Sequence, residues 1–325
     1  MNNETNLPAK GNTKTPSTLQ NTQSILMGRS LALSQTQYCK RVTRDEPAGF
    51  MVLIDQSKSM GEFITDNSGN QKTKAEHLSI IVNTFLEELI LTCQKTTEVK
   101  DYFEILVLGY GKKEDPISIV WDGPLKDKEW VTVTELKNGS LRKEIITKPN
   151  PKPIGKREIS EELNVWIEPF SEGLTPMKTA FLKAKEYLVD WTLRNPESFP
   201  PLVFNITDGN ATDIRSYDEL LDAADELKSV STTDGNTLLF NLFLNNHTGN
   251  LDEFPFLSQE GQYIERPYMK ALFQASSTIP NALRDSIRKP MDNKNEEIKG
   301  VVFGNINSVI KFLNIGTLTI GNRLS

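Results

Sequence analysis

Five oxygen-bearing side chains carry the chemistry this sequence offers. Three lie in LIDQSKSMGEF, Leu53 to Phe63, where Asp55 closes an apolar run and Ser57 and Ser59 follow at alternate positions. The fourth, Thr175, opens TPMKTAFLKA, and the fifth, Asp208, stands in ITDG. Two carboxylates and three hydroxyls, without sulfur or imidazole, are the donor set of a hard cation such as Mg2+, which takes oxygen ligands near octahedral geometry and keeps waters. Mn2+ and Ca2+ are the alternatives. Hydroxyl ligands are neutral, so two carboxylates leave the ion electrophilic, with an open position that a carboxylate from another molecule would fill. Asp-x-Ser-x-Ser is weak by itself, arising by chance in roughly one chain in ten of this length. Alone it also describes a polar turn closing a buried strand, and Thr175 alone describes a helix cap with Pro176 in the first helical position. The context raises the signal, because all five positions of a dispersed pattern agree.

These residues need strands and helices to bring them together. GFMVLID, Gly49 to Asp55, is a short continuous apolar run of the kind buried on both faces of a parallel sheet. TKAEHLSIIVNTFLEELILTCQK follows with helical spacing, Leu78, Ile81, Val82, Phe85, Leu86 and Leu89 on one stripe, and then a second apolar run, YFEILVLGYG. Strand, helix, strand is the crossover unit of an α/β fold. The rhythm breaks over about 112–165, which reads as an insertion: ISIVWDGPL and EWVTVTEL as strands, KNGS as a hairpin turn, and KPNPKPIGK as an irregular loop or a partner-binding arm. NVWIEPF reads as a strand returning to the sheet. Beyond it, the helix starting at Thr175, the strand LVFNITDG, the helix SYDELLDAADELKSV capped by Ser216, and the strand TLLFNLFLN resume the alternation. PYMKALFQASSTIPNALRDSIRK is mostly helical, and GVVFGNINSVIKFLN reads as strand then helix. The expected architecture is a doubly wound, mainly parallel sheet of five or six strands with helices on both faces, plus a β-hairpin insertion. Ligands of such sheets bind at the carboxyl ends of the strands, where Asp55 and Asp208 stand.

Residues 1–24 are polar with almost no large apolar side chain and read as a flexible tail. Residues 25–47 read as a lead-in segment, and 48–325 as the folded domain. A formal charge of -6 argues against a general nucleic-acid binder. Cys39 and Cys93 form no CxxC pair and read as buried thiols in a reducing compartment. His77 and His247 are too few for a zinc site or a Ser-His-Asp triad. No stretch has the length and apolarity of a membrane span and the N-terminus lacks a signal-peptide core, which makes the cytoplasm the default location. Trp121, Trp130 and Trp166 read as packing residues of the insertion.

The chain resembles a von Willebrand factor A (vWA) domain carrying a metal-ion-dependent adhesion site. The residues of that resemblance are Asp55, Ser57, Ser59, Thr175 and Asp208, with GLTPMKTAFLKA and ITDG similar to stretches of bacterial members, and it covers about residues 48 to 315 without most of the insertion. The resemblance implies a Rossmann-like fold, with Ser57, Ser59 and Thr175 touching the ion more directly and Asp55 and Asp208 acting through water. It departs at Lys58 and Leu174, where bacterial members often have glycine. Lys58 reads as a solvated side chain, or as a rim contact to an acidic partner.

No GxxxxGK[ST], GxGxxG or nucleophile elbow occurs in the sequence. The expected function is a non-enzymatic module that captures an acidic residue of a protein partner through the ion. What the resemblance implies about setting is a bacterial multi-protein system, with AAA+ ATPases of the MoxR type or the kinase–phosphatase pairs of stress and phage-defence loci as companions. The alternatives are a Mg2+-dependent phosphoryl-transfer enzyme and a scaffold with a vestigial site. Haloacid dehalogenase-like phosphatases place a second Asp two residues after the first, and here that position is Ser57.

Overall fold

The computed structural model describes residues 37–65, 71–95, 98–149, 158–244, 252–284, 296–304, 308–309 and 312–313. The expectations of a tail over 1–24, of most of the lead-in and of most of KPNPKPIGK, and the reading of His247, lie outside these residues. Tyr38–Ser325 is one compact unit.

Its centre is β1 (Ala48–Asp55), whose eight residues are all buried. A strand covered on both faces has no use for alternation, which is why the sequence there is continuously apolar. Phe50, Val52 and Ile54 face one core and Met51 and Leu53 the other. A short hairpin of β2 (Phe63–Thr65) and β3 (Gln71–Thr73) leads into α1 (Lys74–Cys93). A capping box fixes that helix start: the Glu76 N–H donates to Thr73 Oγ1 and the Thr73 N–H to Glu76 Oε2. The chain continues through β4 (Phe103–Tyr110), β5 (Ile117–Ile119), β6 (Val131–Thr132), α2 (Val133–Asn138), β7 (Arg142–Pro149), β8 (Glu158–Val165), α3 (Met177–Arg194), β9 (Leu202–Thr207), α4 (Tyr217–Lys228), β10 (Leu238–Leu244), β11 (Asp252–Glu253), α5 (Pro267–Ala275), α6 (Asn281–Arg284) and β12 (Val301–Gly304).

Among the described residues the main sheet has eight strands in the order β11-β12-β10-β9-β1-β4-β5, with β6 also on β4. The five inner strands run parallel, and β5, β6 and β11 are short antiparallel edges. Five parallel strands match the expected five or six; of the edges, β5 and β6 lie within ISIVWDGPL and EWVTVTEL, which read as strands, and β11 was not read from the sequence. α1 and α2 cover the Phe50 face, and α3, α4 and α5 cover the Met51 face. The fold is therefore the expected α/β, doubly wound one. From β1 the chain moves out to β4, and it comes back to β9 on the other side of β1. The order of strands thus reverses between β1 and β9, and the crevice at their carboxyl ends is the switch point of the sheet.

The insertion differs from expectation in two places. VTEL is helical rather than extended, because Thr132 and Glu135 form a second capping box that starts α2, and KNGS ends that helix instead of turning a hairpin. The hairpin is β7 with β8, a separate two-stranded sheet, so Asn164 and Val165 pair with Lys143 and Arg142 and never return to the main sheet. Trp166 ends buried there, its Nε1–H donating to Leu136 O at 2.8 Å, and Trp121 is buried too. Cys93 is buried, and burial pushes its thiol up to about 12. Cys39 is exposed, which corrects the expectation of two buried thiols; it lies on the approach to β1, outside the α1 stripe.

Candidate functional site

The carboxyl end of β1 delivers Asp55 into the switch-point crevice, and the end of β9 delivers Thr207 and Asp208 beside it. Asp55 is 1 % exposed. One of its oxygens accepts the Ser57 N–H at 2.8 Å, which bends the chain into a tight turn. The other accepts the Thr207 hydroxyl at 2.7 Å. Burial raises the Asp55 pKa from 3.8 to about 6, against the lowering effect of those bonds, and the neighbouring Asp208 adds to the rise.

The turn puts Ser57 Oγ and Ser59 Oγ 3.0 Å apart. Ser59 Oγ donates to Asp208 Oδ1 at 2.6 Å. Thr175 comes from the loop before α3. A Cβ placed on Gly209 would lie 3.4 Å from Thr175 Oγ1 and 3.9 Å from Ser59 Oγ, so these two hydroxyls border the same small volume. All five residues singled out from the sequence therefore meet at the switch point. Lys58 is exposed at its edge.

Thr175 is not the helix cap expected of it. The N-cap residue of α3 is Pro176, and the free N–H groups of Lys178 and Thr179 donate instead to the Asp213 carboxylate, at 3.2 and 2.8 Å. The Thr175 N–H donates to Thr212 Oγ1 and its carbonyl accepts the Thr212 N–H. With capping done by Asp213, the Thr175 hydroxyl is left for the crevice. Ser216 likewise precedes α4 without a side-chain capping bond.

Two glycines press the loops together. Gly111 sits at φ +128°, and a Cβ there would come within 2.8 Å of Gln56 C, Ser57 N and Leu174 O, all backbone. Gly173, at φ +65°, lies against Gly111 O. The β1 turn and the Thr175 loop thus close on each other with no side chain between them.

Sequence reasoning missed the residue that most alters the charge of the site. Lys74, first residue of α1, is 4 % exposed, and its ammonium donates to Asp208 Oδ2 and to Glu62 Oε2, both at 2.7 Å. Burial weighs against that charge, and the two carboxylates more than offset it, so its pKa is raised. The mismatch of a lysine with the positive end of a helix was the available signal.

The donor set suits a hard cation. It is all oxygen, and ligands at neighbouring corners of an octahedron about 2.1 Å in radius stand about 3.0 Å apart, close to the Ser57–Ser59 spacing. Among the described residues, no three His, Cys, Asp or Glu side chains form a cluster fit for a metal; a site here depends on its hydroxyls. No helix among them is long and apolar enough to cross a membrane.

No family model matches the chain, and no curated protein matches it. Solved structures that match include the manganese-loaded TRAP protein of Plasmodium vivax, 15 % identical over 83 % of this chain and 72 % of that one, with a TM-score of 0.36. Proximal thread matrix protein 1 of the mussel byssus is 12 % identical over 86 % of this chain with a TM-score of 0.41, and the chain spans 48 % of it. The conserved hypothetical protein BatB of Bacteroides thetaiotaomicron is 11 % identical over 61 % of this chain and 66 % of its own, with a TM-score of 0.28. At such identities and scores these likenesses carry no argument, and the fold rests on the strand order above.

Proposed function

We propose that the chain is a vWA-type interaction module that holds a Mg2+-like ion at Asp55, Ser57, Ser59, Thr175 and Asp208 and uses it to capture an acidic side chain of a protein partner. The observation that carries this reading is the convergence of those five residues, drawn from three separate loops, on one crevice at the switch point of the sheet. Ser57, Ser59 and Thr175 would bind the ion through their hydroxyls, and Asp55 and Asp208 would hold the waters around it. The ion would supply Lewis-acid attraction for a carboxylate. Lys58 stands at the edge, where it would add to the attraction of an acidic partner and speed encounter. A cytoplasmic bacterial assembly is the setting that the sequence resemblance suggests.

Calorimetric titration of Mg2+ and Mn2+ into the wild type, Asp55→Ala and Ser57→Ala tests it. Binding by the wild type, weakened about tenfold or more in both variants, is expected. A folded wild type that binds neither ion would sink the proposal. A Mg2+-dependent phosphatase activity lost in Asp55→Ala would replace it with the phosphoryl-transfer reading. Retention of a partner from the source cell only without chelator would then identify what the module binds.

A further inference from the structure

We propose that Lys74 is the internal counter-ion of this site: its ammonium competes with the divalent cation for Asp208 and retreats onto Glu62 when the cation enters. The inference rests on the cation-site reading above and adds a residue that reading does not contain.

The position is unfavourable for a lysine on two grounds. The first turn of a helix presents the positive end of the macrodipole and favours acids. The Lys74 side chain is 5 % exposed, so the charge is also largely removed from water. A buried ammonium there persists only because something needs it. That something is Asp208, whose side chain has no exposure at all. Asp208 splits its two oxygens between Lys74 Nζ and Ser59 Oγ, at 2.7 and 2.6 Å. Ser59 Oγ in turn touches Ser57 Oγ. The ammonium and the hydroxyl edge therefore sit on opposite sides of one carboxylate. A cation arriving at the hydroxyl edge meets an Asp208 whose charge is already answered, with a like charge behind it.

The second partner gives the ammonium somewhere to go. Glu62 follows the Ser59 turn by three residues and its side chain is 60 % exposed. Its carbonyl accepts the Lys74 backbone N–H at 3.0 Å, so the two residues are tied at the main chain. Lys74 can leave Asp208 for Glu62 by turning its side chain alone.

The two accounts differ in sign. If Lys74 merely braces the loop, removing it loosens the site and weakens the metal. If it competes, removing it strengthens the metal. The test titrates Mn2+ by calorimetry into the wild type, Lys74→Met, Lys74→Gln, Glu62→Gln and the Lys74→Met/Glu62→Gln double variant, with circular dichroism to confirm folding and thermal melts in chelator and in Mn2+. Competition predicts Mn2+ binding at least about tenfold tighter in Lys74→Met and Lys74→Gln. It also predicts a lower melting temperature for both variants in chelator, with the gap to wild type closing in Mn2+. Glu62→Gln is expected to weaken Mn2+ binding, and that effect to shrink in the double variant. If Lys74→Met fails to fold without the ion, Lys74→Gln, which retains a hydrogen-bond donor, decides. Wild-type binding with equal or weaker binding in the folded Lys74 variants overturns the counter-ion role and leaves the cation site standing. Absence of Mn2+ binding in the wild type removes both.

Discussion

Lys299 offers a quantitative test of the packing at the opposite end of the sheet. It lies two residues before β12, is 7 % exposed, and donates to the carbonyls of Ser276 and Gln274 at the end of α5. A cavity of about 450 Å3 opens beside it and Lys228. Burial, then the nearby Lys228 charge, lowers its pKa from 10.5 to about 8, while Glu260, Asp225 and Glu297 act the other way. Below pH 8 the group is charged in both folded and unfolded chains, and a drop of that size means the charge costs the fold about 3 kcal/mol. Between pH 8 and 10.5 the unfolded chain still holds a proton that the folded protein has released, so stability rises with pH; above 10.5 the penalty is gone. From pH 7 to 9.5 the gain is about 2 kcal/mol. Lys299→Met removes this dependence. It also deletes two bonds to the α5 carbonyls, but that loss changes little with pH. Urea unfolding of both proteins at pH 7.0 and 9.5, followed by tryptophan fluorescence, is therefore read as a difference. The stability of Lys299→Met minus that of the wild type should fall by about 2 kcal/mol across the interval. Parallel curves for the two proteins would refute the argument, because they would mean Lys299 titrates as an ordinary solvated lysine.

Asn205→Leu should destabilise the protein by about 2–4 kcal/mol, since it strands the buried Tyr110 hydroxyl and Asn241 Oδ1, each bonded to Asn205 at 2.8 and 2.9 Å. Adding Tyr110→Phe should recover part of that loss in urea unfolding, and a purely additive double variant would count against the network. Gly111→Ala should cost at least about 2 kcal/mol, because it combines a strained φ with a clash against three backbone atoms. An unchanged urea midpoint there would show that the two site loops are not in fact held back to back.

The parallel core was legible because burial on both faces leaves an unmistakable trace. AGFMVLID and LVFNIT have no polar residue that a solvated face would require, apart from those at or serving the crevice. The exception inside β9, Asn205, bonds across the sheet to Tyr110 and Asn241, which a single sequence does not reveal. The insertion was misread for a local reason. VTVTEL has the β-branched look of a strand, but the Thr132–Glu135 capping box satisfies the amides of Thr132 and Glu135 at a helix start, and the last four residues are helical. A search for Thr-x-x-Glu would have found both this helix and α1 at Thr73 and Glu76.

The five crevice residues were legible for a different reason: Asp55 ends β1, Ser57 and Ser59 lie in the turn after it, Thr175 lies in the loop before α3 and Asp208 follows β9, so the fold class places all of them at the carboxyl end of the sheet. What surrounds them is set by contacts between distant segments. Thr207 is adjacent to Asp208 in sequence, yet its role is to hold Asp55 across the strand pair. Asp213 takes over the cap of α3 from 35 residues away and so releases Thr175 from that task. Lys74 is separated from Asp208 by 134 residues. Its only local mark is a basic residue at the wrong end of a helix, in the same first turn as the acid Glu76 that the dipole prefers. Such a mark has no meaning until the partner is known. Once Asp208 is placed, the same mark becomes informative. A charge that the helix dipole and burial both disfavour has to be held by a specific opposite charge, and here that charge is Asp208, a residue of the proposed cation site. The residues that would hold the ion are thus read from pattern, and the residue that would set how tightly it is held is read from the violation of pattern.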